Sequence, residues 1–266
     1  MVGRARKRAE VGSRGATSAV RALVLAVAML ASAVVGATAA EVCASLPARQ
    51  TMPREAKPEN LPDPHWLERT TKIEQQLPQP ETGRAQLLFL GDSITQSWAP
   101  VVFDNFYAGR AALNLGVTGD YTQGLLWRLS RLPLGGALRP RLAVVLIGTN
   151  NTASGSRPED TALGIAEVVR TIRRRSPQTR VLLLGLLPRG AQAADPLRAV
   201  NERVNALVAS CADNRDVFYA APGTMLPDRA GRLSEHIAFD GLHLTWLGYA
   251  ILSTALEPDI RRLLGN

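Results

Sequence analysis

From Leu87 onward the chain alternates between two hydrophobic patterns. Short apolar runs occupy Leu87–Leu90, Ala111–Leu115, Leu142–Ile147, Val181–Leu187 and Val217–Ala220, a length that suits strands covered on both faces. Between them, apolar residues recur at helical spacing. In Pro158–Arg175, the side chains of Ala162, Ile165, Ala166, Val169 and Ile172 share one face behind Ser156-x-x-Glu159, which reads as a capping box. Another helix is expected from Asp195-Pro196 and a last one from about Thr245 to Leu264. Strands alternating with helices predict an α/β domain over residues 87–266, with a parallel sheet and helices on both faces.

Upstream the pattern weakens. Residues 44–86 hold seven of the 17 prolines, so residues 41–86 read as an extended, Pro-rich lead-in. One helix is expected within it. Asp63-Pro64 supplies an N-cap and an N1 proline, and Trp66, Thr70, Ile73 and Leu77 follow at helical spacing.

Composition fits a folded chain: 266 residues, 46% hydrophobic and 20% charged. The net charge of +8 would favour a polyanionic partner if it lay on the domain, but residues 1–40 supply +5 of it. Those basic residues precede an uncharged stretch, Ala22–Ala40, that ends in small residues. A positive region, an apolar region and an Ala37-Thr38-Ala39 end read as a secretory signal peptide over residues 1–40. Its strongly apolar part, Ala22–Val35, is short for a membrane span, so cleavage is favoured over a retained anchor. The expected location is secreted or periplasmic. The two cysteines, Cys43 and Cys211, could pair there, but Cys211 also continues an apolar helical face with Val204 and Val208. A bridge and a buried thiol both remain open. No metal-ligand spacing occurs, and the basic cluster of Arg170, Arg173, Arg174, Arg175 and Arg180 reads as helix-end cations rather than a nucleic-acid surface.

Parallel α/β sheets place ligands beyond the carboxyl ends of their strands, where the candidate chemistry lies. Gly91-Asp92-Ser93-Ile94 follows the first run, and a serine opening a helix there has an exposed hydroxyl and a free backbone N–H. Asn114-Leu115-Gly116-Val117-Thr118-Gly119-Asp120 ends the second run, and Gly116 could offer a backbone donor to an oxyanion. Gly148-Thr149-Asn150-Asn151 follows the third, where the Asn150 amide could be another donor. Asp240-Gly241-Leu242-His243 precedes the last helix. An aspartate three residues before a histidine can hold the imidazole tautomer for a general base. Each motif alone is also an ordinary turn or cap; together, at one sheet edge, they are hard to ascribe to coincidence.

These four blocks resemble the signature of the SGNH, or GDSL-type, ester hydrolases. ALNLGVTGDYTQGLLWRL, VVLIGTNN, LLLGLLPRG and FDGLHLTWLGYA are further similar to the catalytic-subunit group of the platelet-activating-factor acetylhydrolases. The resemblance implies a three-layer α/β/α sandwich around a five-stranded parallel flavodoxin-like sheet. It also implies Ser93 as nucleophile, His243 as base, Asp240 as its partner, and the Ser93 amide, Gly116 amide and Asn150 side chain as the oxyanion hole. Acyl transfer on such a site needs neither a metal nor an organic cofactor. Its expected substrate is a short-chain, acetyl-type ester of a lipid or carbohydrate, and the relatives imply a homodimer. Thr118, Trp246 and Leu247 depart from those relatives, which leaves substrate size open. A non-catalytic glycan- or lipid-binding module on the same fold is the alternative, weighed against by the complete set of Ser93, Asn150, Asp240 and His243.

Overall fold

The computed structural model describes residues 1–3, 42–46 and 49–265. The expected signal peptide falls almost wholly outside them. The lead-in contains helix α1 (Pro64–Gln76) and a short turn of helix, α2 (Pro80–Gly83). The Asp63 side chain accepts from Trp66 N, as its N-cap position requires, and Pro64 sits at N1. This segment is less extended than expected. Cys43, Leu46, Leu61, Trp66 and Ile73 are buried in the same apolar core as the strands.

Strand β1 (Leu87–Gly91) leads through α3 (Ser93–Gln96) and α4 (Pro100–Tyr107) to β2 (Ala112–Asn114). Then follow α5 (Thr122–Arg131), β3 (Leu142–Leu146), α6 (Thr149–Ala153), α7 (Pro158–Arg175), β4 (Arg180–Leu184), α8 (Pro196–Val208), β5 (Val217–Ala220) and α9 (Trp246–Leu264). The five strands are parallel, in the order β2-β1-β3-β4-β5. Helices α5, α7 and α8 pack together, whereas α4 packs against α9, giving the three layers of an α/β/α sandwich. Every residue of β1 and β3 is buried, which explains why these strands read as continuous apolar runs. Below α4 and α9, Phe89 meets Trp98, Phe103 and Tyr107 at ring separations of 4.7–5.1 Å.

Three strands are shorter than their apolar runs, β3 only by Ile147. Ala111 takes a left-handed conformation, φ 47°, so β2 begins only at Ala112. Strand β4 stops at Leu184 because its neighbour ends at Ala220; beyond it, Asn205 Oδ1 accepts from Leu186 N and Asn205 Nδ2 donates to Leu186 O. The capping box is also absent. The N-cap of α7 is Arg157, ahead of Pro158, while Ser156 Oγ donates to Glu55 Oε1 at 2.6 Å. The two cysteines are bridged, Cys43 to Cys211, across 168 residues. Cys211 thus keeps its buried place and gains a covalent tie to the lead-in.

The basic cluster serves internal bonding. Arg170 donates to Val42 O and Cys43 O, Arg175 to Leu129 O and Leu132 O, and Arg180 to Leu263 O.

Candidate active site

The order of the sheet puts its switch point between β1 and β3, where connections leave in opposite directions and open a crevice. Gly91 closes β1 because a Cβ there would lie 2.2 Å from both Leu146 O and Thr95 Oγ1. Asp92 then caps α3, its Oδ1 accepting from Ile94 N at 3.0 Å. Burial pushes the Asp92 carboxyl up to about 7, against the opposing pull of the Ile94 amide. Ser93 opens α3, and among the described residues its N–H has no acceptor.

Ser93 Oγ lies 2.9 Å from His243 Nε2, and His243 Nδ1 lies 2.6 Å from Asp240 Oδ2. An ionised carboxylate only accepts, so Nδ1 carries the proton and Nε2 is left to accept from the serine. Asp240 Oδ1 accepts from Leu242 N at 2.9 Å and His243 N at 2.7 Å, which bends the loop through Gly241 at φ 75°. Burial pushes the Asp240 carboxyl up, but the bonds from the His243 ring and from these two amides outweigh it. The carboxyl is held below its ordinary range. Gly190 N donates to Gly241 O at 2.8 Å, so the loop after β4 pins the same turn. Tyr249 on α9 donates to Ile94 O at 2.7 Å and ties the histidine side of the site to α3.

The expected donors fare differently. Asn150, on α6, spends one N–H of its side chain on Asp120 O at 2.8 Å and keeps the other. Gly116, by contrast, has its N–H taken by Asn114 Oδ1 at 3.0 Å. It is glycine because a Cβ would lie 2.2 Å from Gln96 N, so the position serves a close approach to α3. Three residues on, Gly119 has φ 73°, open space where a Cβ would be, and no acceptor for its N–H among the described residues. It immediately precedes Asp120, whose carbonyl holds Asn150. The signal for it was present in the sequence as the second glycine of Gly116-x-x-Gly119, but only the backbone conformation separates the two.

The rim of the site mixes apolar and polar groups. Phe239 is 63% exposed and stacks on His243 with ring centres 5.9 Å apart. Trp246 is 66% exposed at the start of α9. Gln96, at the end of α3, and Thr118 share a cleft of about 290 Å³ with His65, Glu68, Arg69 and Lys72 of the lead-in, and none of Ser93, Asn150, Asp240 or His243 lines it. A larger cleft of about 420 Å³ lies between the loops after β4 and β5, and none of Ser93, Asn150, Asp240 or His243 lines it.

The model of the GDSL-like Lipase/Acylhydrolase family matches residues 89–251, the segment that carries Ser93, Gly119, Asn150, Asp240 and His243. The chain belongs to that family. Among curated proteins, this GDSL-like chain is 40% identical to platelet-activating factor acetylhydrolase IB subunit alpha1 of Bos taurus over 183 residues, 67% of this chain and 76% of that one. Among solved structures it resembles a protein from Streptococcus pneumonia described as a platelet activating factor, with a TM-score of 0.65 and 25% identity over 74% of this chain and 92% of the other. A GDSL-like lipase from Bacteroides thetaiotaomicron shares the fold with a TM-score of 0.58 and 21% identity, covering 73% of this chain and 97% of the other. The GDSL-like chain is thus a carboxylic ester hydrolase.

Proposed function

We propose that this chain is an exported serine esterase that removes short acyl groups, acetyl above all, from a lipid or carbohydrate ester. The observation that carries the reading is the continuous line from Ser93 Oγ through the His243 ring to the Asp240 carboxylate, at 2.9 and 2.6 Å. In the proposed reaction Ser93 attacks the ester carbonyl while His243 Nε2 takes its proton, and Asp240 stabilises the imidazolium. The alcohol leaves with that proton, and water activated by His243 then releases the acid. The oxyanion is held by the Ser93 N–H, the remaining Asn150 N–H and, in the place expected of Gly116, the Gly119 N–H.

The acetyl preference is supported by the similarity to platelet-activating factor acetylhydrolase subunits. Export is supported by the basic and apolar character of residues 1–40 and by the Cys43–Cys211 bridge, which suits an oxidising compartment. No described helix is long and apolar enough to cross a membrane.

A fluorophosphonate should label wild-type protein and fail to label Ser93→Ala. Folded wild-type protein that takes no label would overturn the hydrolase mechanism in favour of a binding module. Among p-nitrophenyl esters, acetate should be turned over best and activity should fall steeply beyond butyrate; a preference for long chains would exclude the small-acyl reading. Acetylated glycans and acetylated glycerophospholipids then separate the two alcohols. Intact-mass measurement of protein recovered outside the cytoplasm should show loss of about the first 40 residues.

A further inference from the structure

Beneath the loop from β2 to α5 lies an ion pair with almost no access to water. The side chains of Arg128 and Asp120 are 2% and 0% exposed and meet at 2.6 Å. Desolvation offsets most of the attraction in such a pair, so its contribution is better sought in geometry than in stability. Arg128 Nη1 donates to Leu115 O at 2.8 Å and Nη2 to Gly91 O at 3.2 Å, which ties the start of the loop to the end of β1. Asp120 takes Arg128 on Oδ2 and, on Oδ1, the indole N–H of Trp66 at 2.8 Å and its neighbour Tyr121 N at 3.0 Å.

Trp66 belongs to α1, in the lead-in. One turn later Arg69 reaches the same loop from outside, Nε donating to Gly116 O at 3.2 Å and Nη2 to Asn114 O at 3.0 Å. Helix α1 therefore grips the loop at both ends. Gly119 lies between these grips, and the Asp120 carbonyl fixes the Asn150 amide. A displacement of Asp120 moves two donors together.

We propose that α1 is a positioning element of the oxyanion site, acting through the Trp66 indole on Asp120 and the Arg69 guanidinium on the Asn114 and Gly116 carbonyls. This rests on the reading of Gly119 and Asn150 as oxyanion donors. Neither Trp66 nor Arg69 touches the reacting atoms in this scheme. Their effect falls on the transition state, because a donor aimed at developing charge loses its value when it is slightly misplaced.

The test uses the full chain with Trp66→Phe, which keeps a ring in the core and removes one N–H, and Arg69→Met, which keeps the stem and removes the donors. Turnover is measured per active site, counted with a fluorophosphonate, on p-nitrophenyl acetate. Each variant should lose about fivefold to tenfold in kcat, the size of one hydrogen bond, with KM within about twofold and the pH profile unmoved. Unchanged kcat per labelled site, with loss confined to melting temperature or to the labelled fraction, would reduce α1 to a structural role and overturn the proposal. Should Trp66→Phe not fold, the half-buried Arg69 carries the test by itself. Ser93→Ala run alongside separates the two failures: if it keeps wild-type turnover the proposed site is wrong, whereas an inactive Ser93→Ala beside unaltered Trp66 and Arg69 variants rejects only the role of α1.

Discussion

On one side of Ser93 the His243 loop is held mainly by bonds between near neighbours. Asp240 accepts from the backbone of Leu242 and His243 and from the His243 ring, all within three residues, and its side chain remains 42% exposed. On the other side, the loop carrying Gly119 and Asp120 depends on Trp66 and Arg69 from the lead-in and on Arg128 from α5, all beneath the surface or half-buried. The difference has a physical basis. In the proposed mechanism, a base that shuttles a proton needs contact with substrate and water, and local bonds that survive exposure suit its loop. An oxyanion donor must not move as charge develops, and a dry, cross-linked support keeps it still.

Removing the exposed side's partner gives the largest expected effect. Asp240→Asn should lower kcat by about 10²- to 10⁴-fold, since the imidazole loses both its tautomer control and its counter-charge. A pH–rate profile accompanies the measurement. Asp240 is held below the ordinary carboxylate range, so it stays ionised as pH falls through that range, and the acid limb of wild-type kcat/KM should not report this carboxyl. On the opposite side, Asn150→Ala should cost about 10²- to 10³-fold in kcat with little change in KM. If Asn150→Ala were instead to raise KM alone, the buried side would be binding substrate and not the transition state.

Smaller effects test the supports. Replacing Cys43 and Cys211 by serine should lower stability by about 2–5 kcal/mol, read by denaturant unfolding, with turnover per labelled site nearly unchanged. A large loss of turnover would mean that the bridge, and not the bonds of α1 itself, keeps the lead-in on the loop. The smallest expected effect is at Asp92. Its raised carboxyl binds a proton in the folded chain, from the ordinary carboxylate range up to about pH 7, that the unfolded chain has lost; stability therefore falls as pH rises through that window. Asn keeps an acceptor for Ile94 N without the proton, so the melting temperature of Asp92→Asn should gain on wild type by a few degrees between about pH 5 and about pH 8. A constant difference would remove Asp92 as a titrating group.

Much of the sheet was legible because both of its faces are covered. The runs from Leu87, Leu142 and Val217 mark strands with little ambiguity. Strand ends were less legible: Val181–Leu187 looks uniform, yet β4 stops where β5 stops and Asn205 takes over its backbone. The proposed triad was legible for a related reason. Asp240 and His243 lie three residues apart, and Ser93 follows a buried strand directly. Gly116 and Gly119 could not be told apart, since the difference lies in where each backbone faces. The support from Trp66 was hidden altogether, because 54 residues separate it from Asp120.

The sequence by itself determined the local features: where strands and helices form, which turn carries each candidate reactive group, and the basic, apolar start of residues 1–40. These follow from periodicity, from caps and turns, and from neighbours a few residues apart. Tertiary structure alone decided that Cys43 meets Cys211, that the Gly119 amide and not that of Gly116 is left free, and that a Pro-rich lead-in reaches the loop beside Ser93. Those outcomes depend on pairings between distant segments, which are fixed only when the sheet and its helices bury a common core.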